Sequence, residues 1–272
     1  MLYNRTRRWL SPPASLVRRG RILELPLYYV LRTSDLAREG FENGGSFRFA
    51  DHIYRDQASG SGRFGRWLDR RILDLAAVRS FRGRYLRARQ AVFDLLRERV
   101  HARHRVDVLS VPAGIPRELV EAACQFRELG GSLKDVRLHA LDLDADVLEA
   151  AQKFAAGEGI ALSVHLGDVF DREVYGGEFD FITSTGFGEF VDDRQLENFY
   201  TILCEHLRPD GVFVTSAMRP RRIAEYLLRL AELEIHYREG EELAGIASRA
   251  GFTETETSQD ELGIQAFLRA RR

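Results

Sequence analysis

The chain has 272 residues, with 40 basic and 41 acidic side chains and a formal net charge of −1. At 44% hydrophobic and 30% charged it can bury a core and is not globally disordered, and no apolar run approaches the ~18 residues of a membrane span. The near-zero total hides a split: residues 1–105 hold 23 Arg and no Lys against 10 acids (+13), while residues 106–272 hold 17 basic and 31 acidic residues (−14). Halves so opposed raise the question of a basic arm for nucleic acid or for a membrane surface.

Two cysteines, Cys124 and Cys204, make neither a disulfide framework nor a zinc site, which fits a reducing, cytoplasmic compartment. Both fall in helical patterns, where a thiol packs as a small hydrophobe. The first 23 residues are rich in Arg and free of acid, as a transit peptide would be, but Pro12-Pro13 and the lack of an apolar core argue against a secretory signal.

In chain order, a Gly/Ser-rich aromatic stretch between Gly40 and Gly65 reads as a linker or a lid, and the density of Phe47, Phe49, His52 and Tyr54 favours an ordered lid. Residues 66–103 are helical, with Leu68, Ile72, Leu75, Leu86, Val92 and Leu95-Leu96 set among many Arg. From Arg105 strands and helices alternate. Strand 106–111 leads through Pro112-Ala113-Gly114 to helix 116–129, with Pro116 in its first turn and Gly130-Gly131 as its stop. Strand 136–142, helix 144–156 with Asp144 as N-cap and Gly157 as C-cap, and strand 160–166 follow. Then come strand 179–185, helix 192–207, a turn at Pro209-Asp210-Gly211 and strand 211–217. Helices near 220–232 and 241–250 precede strands 252–258 and 263–270, joined by a polar turn at 259–262. Five strands separated by helices predict an α/β fold with a parallel, doubly wound sheet, and the last two add an antiparallel hairpin at one edge. Residues 1–104 are predicted as a mostly helical cap or lid and 105–272 as the sheet domain.

Ligands of such sheets lie beyond the carboxyl ends of the strands, which selects four places. The first is the turn 111–115, where a tight backbone enters a helix whose free N–H groups can receive a carboxylate or phosphate; only Gly114 allows close approach, and no GxGxxG is present. The second is Asp142, which ends a strand in HALDLD and can accept both hydroxyls of a ribose; the plainer reading, a helix cap, is already filled by Asp144. The third is Gly167-Asp168-Val169, where a carboxylate can accept an adenine amine and Val169 can pack on the ring, or where Asp168 merely makes a turn. The fourth is TSTGFGEF at 183–190, where two glycines open the wall of the cleft.

The succession of that turn, LDLD, HLGDVF, FDFITSTGFGEF, LRPDGVFVTS and RAGF resembles class I S-adenosylmethionine-dependent methyltransferases over residues 105–270. The resemblance implies a Rossmann-like sheet of seven strands and S-adenosylmethionine as cofactor. It assigns the methionine portion to Pro112, Ala113 and Gly114, the ribose to Asp142, and the adenine to Asp168 and Val169; Leu143 and Thr185 are further candidate cofactor contacts. Residues 52–85 are also similar to the leader of a bacterial methyltransferase subfamily. The chain departs from the family where VPAGIP replaces the usual glycine-rich turn. It also lacks the Asn/Asp-Pro-Pro-Tyr signature of amino-group methylation, and the metal-binding acids of catechol methyltransferases, so no metal is expected.

The expected reaction is methyl transfer to a small molecule, with proximity carrying most of the acceleration. Glu189, at the end of the fourth sheet strand, and Tyr54, in the aromatic segment, are the candidate catalytic groups. Arg55 is placed to meet a carboxylate of cofactor or substrate, and His236-Tyr237 read as structural. Aromatic faces from Tyr28, Tyr29, Phe47, Phe49 and Tyr54 can attract a sulfonium. The runner-up is a cyclase that turns S-adenosylmethionine itself into azetidine-2-carboxylate and methylthioadenosine, so that the only partner is S-adenosylmethionine. An RNA-binding module is the third reading, and it is weakened because many Arg interleave with apolar residues and acids at helical spacing. The charge split then describes a basic helical segment covering an acidic sheet domain, with no part for a membrane. Acceptor and oligomeric state stay open.

Overall fold

The β-branched runs of the second half pair as the sequence predicts. A computed structural model of the chain describes residues 17–18, 20, 22–43, 47–99, 105–220 and 235–272. Strands β1 (Val106–Ser110), β2 (Val136–Asp142), β3 (Leu162–Leu166), β4 (Phe179–Thr185), β5 (Leu207–Met218), β6 (Glu254–Gln259) and β7 (Gln265–Arg271) form one sheet in the order β3-β2-β1-β4-β5-β7-β6. The first five run parallel; β7 lies antiparallel between β5 and β6. This is the Rossmann-like, seven-stranded α/β sheet with the C-terminal hairpin that the sequence implies. β1 and β4 are buried along nearly their whole length, as strands covered on both faces must be.

Among the described residues the N-terminal unit includes α1 (Leu25–Leu31), α2 (Asp35–Asn43), α3 (Phe47–Arg55) and α4 (Gly62–Leu73), followed by the long α5 (Ala76–Arg99). α6 (Arg117–Glu128), α7 (Ala145–Gly157), α8 (Asp193–Glu205) and α9 (Gly240–Arg249) flank the sheet. Among the described residues, those up to Arg82 form one compact unit and those from Gly83 onward another. The division falls inside α5 because its second half is sheet core: Val92, Phe93, Leu95 and Leu96 pack with Val106, Val108, Leu119, Phe126, Phe181 and Val214. None of the described helices is long and apolar enough to cross a membrane.

The N-terminal unit is knitted by one buried carboxylate. Asp69 Oδ1 accepts from Ser34 Oγ at 2.5 Å and Leu36 N at 3.3 Å, and Oδ2 accepts from Ser59 N and Gly60 N at 2.8 and 2.7 Å. A Cβ at Gly65 would stand 2.3 Å from Thr33 O, so glycine is what lets α4 approach the end of α1. Leu36, Ile53 and Leu73 make the small core, with Phe49, Tyr54 and Phe81 against it.

Two expectations change. The stretch 40–65 is largely helical, since α2, α3 and α4 take up much of it and Asp56–Ser61 is the described non-helical part. Pro209-Asp210-Gly211 is not a turn between helix and strand: β5 runs through it, and the register with β4 slips between Phe179 and Phe181, with Asp210 at φ +62°. The loose residues are absorbed as a bulge. Asp144 caps α7 as expected, accepting from Asp146 N at 3.0 Å, and Pro116 stands one residue before α6. The helix expected near 220–232 lies, from residue 221 on, outside the described residues.

Candidate functional site

The turn after β1 is pinned from both sides. Val111 N donates to Thr183 O of β4 at 2.9 Å and Ala113 N to Leu141 O of β2 at 2.8 Å, so the ladder outlasts the strand itself. The Val111-Pro112 peptide is cis and Gly114 has φ +52°. Gly114 N donates at 3.0 Å to Asp142 Oδ2, while Asp142 Oδ1 accepts from Asp144 N at 3.1 Å. The carbonyl of Asp142 accepts from Gly167 N at 3.0 Å. One residue therefore ties together the exits of β1, β2 and β3. Burial pushes its carboxyl above the usual range, against the pull of the backbone amides that bind it.

The free N–H groups expected at this turn are not all free. Ala113 N and Gly114 N are taken within the fold, and Arg117 N donates to Ile115 O at 2.8 Å. Pro112 is half-buried, and Ala113 is buried in a small core with Ala140 and Leu148. Beside Asp142, Leu143 is 43% exposed. Asp168 is half-buried and accepts from Phe170 N at 3.0 Å; Val169 is buried and its carbonyl accepts from Tyr175 Oη at 2.8 Å. Thr185 ends β4, half-buried. Pro112, Ala113, Gly114, Asp142, Leu143, Asp168, Val169 and Thr185 are thus brought to one edge of one sheet.

Sequence reasoning missed what lies beneath the turn. Glu118, in the first turn of α6, is buried and accepts from Ser110 Oγ at 2.6 Å. Burial pushes its carboxyl up to about 7, opposed by the Ser110 hydrogen bond. Its helix, with a second acid at Glu121, reads as an ordinary amphipathic pattern, so nothing local sets Glu118 apart.

Glu189 follows β4 in a 3-10 turn, Gly188–Phe190, and is buried against Arg84 of α5, with Nη1 to Oε1 at 3.1 Å. Burial raises its carboxyl, while the Arg84 charge works to lower it. A Cβ on Gly186 would stand 2.6 Å from the Arg84 guanidinium, so only glycine lets the arginine lie there. The segment after residue 234 locks this exit: His236 N donates to Glu189 O at 2.8 Å, and Arg238 donates to Gly188 O and to Val191 O. No local pattern marks Arg84, which stands 105 positions from its partner.

Tyr54 and Arg55 belong to the N-terminal unit. Tyr54 stacks on Phe81, with centroids 5.6 Å apart, and packs against that unit's core. Arg55 pairs with Asp51 of its own helix at 2.7 Å.

On the face of the sheet that carries Val108 and Val214, the buried polar side chains of Thr183, Ser216 and Gln265 have no hydrogen-bond partner among the described residues. The registers Ser110–Thr183, Thr185–Ser216 and Met218–Gln265 place them near the same carboxyl edge.

Solved structures share this architecture. A possible exported protein from Bordetella parapertussis is 21% identical, with a TM-score of 0.71, over 92% of this chain and 87% of that one. Magnesium protoporphyrin IX methyltransferase from Synechocystis, with bound S-adenosylhomocysteine, is 12% identical with a TM-score of 0.56, over 82% of this chain and 93% of that one. No protein of curated function matches the sequence significantly. The model of a family described as "Putative methyltransferase" matches residues 33–272, and the chain belongs to that family.

Proposed function

We propose that the protein is a small-molecule methyltransferase that takes S-adenosylmethionine at the turns gathered around Asp142. The observation that carries this reading is the Asp142 hub. Each of its carboxylate oxygens accepts a backbone amide from one side and retains lone-pair capacity for a ribose hydroxyl. Leu143, exposed beside it, offers apolar surface for an adenine, and Asp168 offers a carboxylate for its amine. The residues therefore fit the cofactor, which supplies an electrophilic methyl on a sulfonium. The fold shared with a methyltransferase that holds S-adenosylhomocysteine supports the same reading.

The turn 112–114 contributes shape, because its amides at Ala113 and Gly114 are already engaged. Glu189 acts as a positioning residue: it holds Arg84 against Gly186 and so fixes the wall at the exit of β4. Acceleration then rests on holding the acceptor in line and excluding water. Tyr54, packed in a core, and Arg55, paired with Asp51, take no role in this reading.

The same turn favours a second reading. A methionine portion not clamped by those amides can bring its own amino nitrogen to its side-chain carbon, releasing methylthioadenosine, a proton and azetidine-2-carboxylate. One experiment separates the two. The protein is incubated with S-adenosylmethionine, with and without a panel of small hydroxyl- and amine-bearing acceptors, and the products are identified by mass spectrometry. S-Adenosylhomocysteine that forms only with an acceptor supports methyl transfer. Methylthioadenosine with a new cyclic amino acid, formed without one, replaces it by cyclisation. Failure to bind S-adenosylhomocysteine in calorimetry sinks both.

A further inference from the structure

The exposed face of α4 has a composition that the reaction does not use. Gly65, Asp69 and Leu73 turn inward, and Arg63, Phe64, Arg66, Trp67, Arg70 and Arg71 are exposed. Phe64 and Trp67 are 54% and 51% exposed, yet their rings stack with centroids 5.7 Å apart. The Arg71 guanidinium lies 5.5 Å from the Trp67 ring centre. Arg70 is paired with Asp56 at 3.0 Å, whereas Arg63, Arg66 and Arg71 form no ion pair among the described residues. Leu75, just beyond the helix, is 42% exposed.

Neighbouring chain continues this chemistry. Ser61 N donates to Thr33 O at 2.9 Å, so the start of α4 abuts the end of α1, where Tyr29 and Val30 are exposed. Ile22, Leu23 and Val17 are exposed as well. The sequence from Met1 to Leu23 carries six Arg and no acid. Unpaired cations call for an anionic occupant, and exposed aliphatic side chains call for hydrocarbon. An anionic lipid surface supplies both, and basic helices bearing Trp, Phe and Leu lie in such interfaces.

We propose that the α4 face, with Arg63, Phe64, Arg66, Trp67, Arg71 and Leu75, docks the protein on an anionic phospholipid membrane. A single-stranded nucleic acid fits less well. Its bases need free ring faces, and Trp67 has Phe64 one turn before it and Arg71 one turn after it. The absence of a spanning segment among the described helices is no obstacle, because surface docking needs only a stripe of side chains.

The test uses the full-length protein and two kinds of vesicle, one of pure phosphatidylcholine and one in which about a third of the lipid is phosphatidylglycerol. Cosedimentation is expected with the anionic vesicles and not with the neutral ones, and it weakens as salt is raised. In a Trp9→Phe protein, Trp67 becomes the sole tryptophan, and its emission shifts to the blue on binding. Arg63→Gln with Arg66→Gln weakens binding about thirty-fold, the effect of losing two cations near a charged surface. Phe64→Ser with Trp67→Ser abolishes it, with an unchanged circular dichroism spectrum and unchanged affinity for S-adenosylhomocysteine. Equal binding to both vesicles, no binding at low salt, or undiminished binding by either double variant overturns the proposal. So does a Trp67 shift produced by polyuridylic acid or by self-association in the absence of lipid.

Discussion

The two edges of the sheet are built on opposite principles. At the amino edge, charges are saturated. Asp107 accepts from Arg105 at 2.7 Å, Arg208 at 2.7 Å and His139 at 3.3 Å, and Asp180 accepts from Asp107 N at 2.9 Å, from Arg208 and from Arg99 at 3.5 Å. Burial works to raise Asp107, but the hydrogen bonds from Arg105, Arg208 and His139 outweigh it and hold the carboxyl below the usual range. At the carboxyl edge the carboxylates of Asp142, Glu118 and Glu189 are all raised by burial, and Thr183, Ser216 and Gln265 have no hydrogen-bond partner. Both edges bury polar groups. Among the described residues the carboxyl edge is the one that leaves bonding capacity unused, as the proposed ligand site requires.

The largest effect should come from breaking the saturated edge. Asp180 is fully buried, and Asp180→Ala leaves Asp107 N without its acceptor and Arg208 with one carboxylate, that of Asp107, in place of two. Removing one partner of a buried ion network costs about 3–5 kcal/mol. Urea denaturation should show that loss, with S-adenosylhomocysteine affinity unchanged in calorimetry at low temperature. A loss below about 1 kcal/mol would mean that the amino edge is not what holds the sheet together.

The edges also differ in the sign of their pH dependence. Asp107, held low, adds stability above the ordinary carboxyl range, and that contribution is lost as pH falls through its folded value. Glu118 does the reverse. An unfolded glutamate releases its proton near 4.5 and the folded one near 7, so stability declines as pH rises between those values. Glu118→Gln keeps a partner for Ser110 and removes the buried charge. At pH 8 it should stabilise the protein by roughly 3 kcal/mol, at ~1.4 kcal/mol for each tenfold change in proton affinity, and by far less at pH 4. Equal effects at both pH values would remove the buried acid from the account.

Asp142→Ala tests the hub. It deletes the acceptor of Gly114 N and Asp144 N together with the proposed ribose contact. Affinity for S-adenosylhomocysteine should fall about ten- to hundred-fold, the scale of a hydrogen bond to a charged group. Unchanged affinity in calorimetry would move the cofactor away from these turns.

Much of this contrast is legible in the sequence, and the reasons differ by element. β1, β2 and β4 can be read from local apolar runs, and Asp142 from its place at the end of one, because strand ends are positions the chain itself defines. Arg84, Arg238 and Glu118 are not legible as site residues. The first two act through partners 105 and 50 positions away, and Glu118 sits in a helix whose periodicity reads as plain core. Pro209-Asp210-Gly211 reads as a turn and folds as a bulge, because the two use the same residues. Charge counts expose the +13 first half, but only the fold shows that Arg82 is turned to Asp56 at 2.7 Å while Arg63 and Arg66 form no such pair among the described residues.

The smallest effects should come from the unpartnered groups. Replacing a hydrogen-bonded buried polar group by an apolar one usually destabilises, because its partner is stranded. Thr183 and Ser216 strand nothing, since nothing among the described residues bonds to their hydroxyls. Thr183→Val and Ser216→Ala relieve a desolvation cost, so each should leave stability unchanged or raise it by up to about 1 kcal/mol. Turnover with S-adenosylmethionine and its acceptor should meanwhile fall if these hydroxyls serve the carboxyl edge, a separation of stability from activity that is common at functional positions. A fall in denaturation midpoint in both variants would show instead that the hydroxyls are bonded in solution, and the two edges would then differ in charge alone.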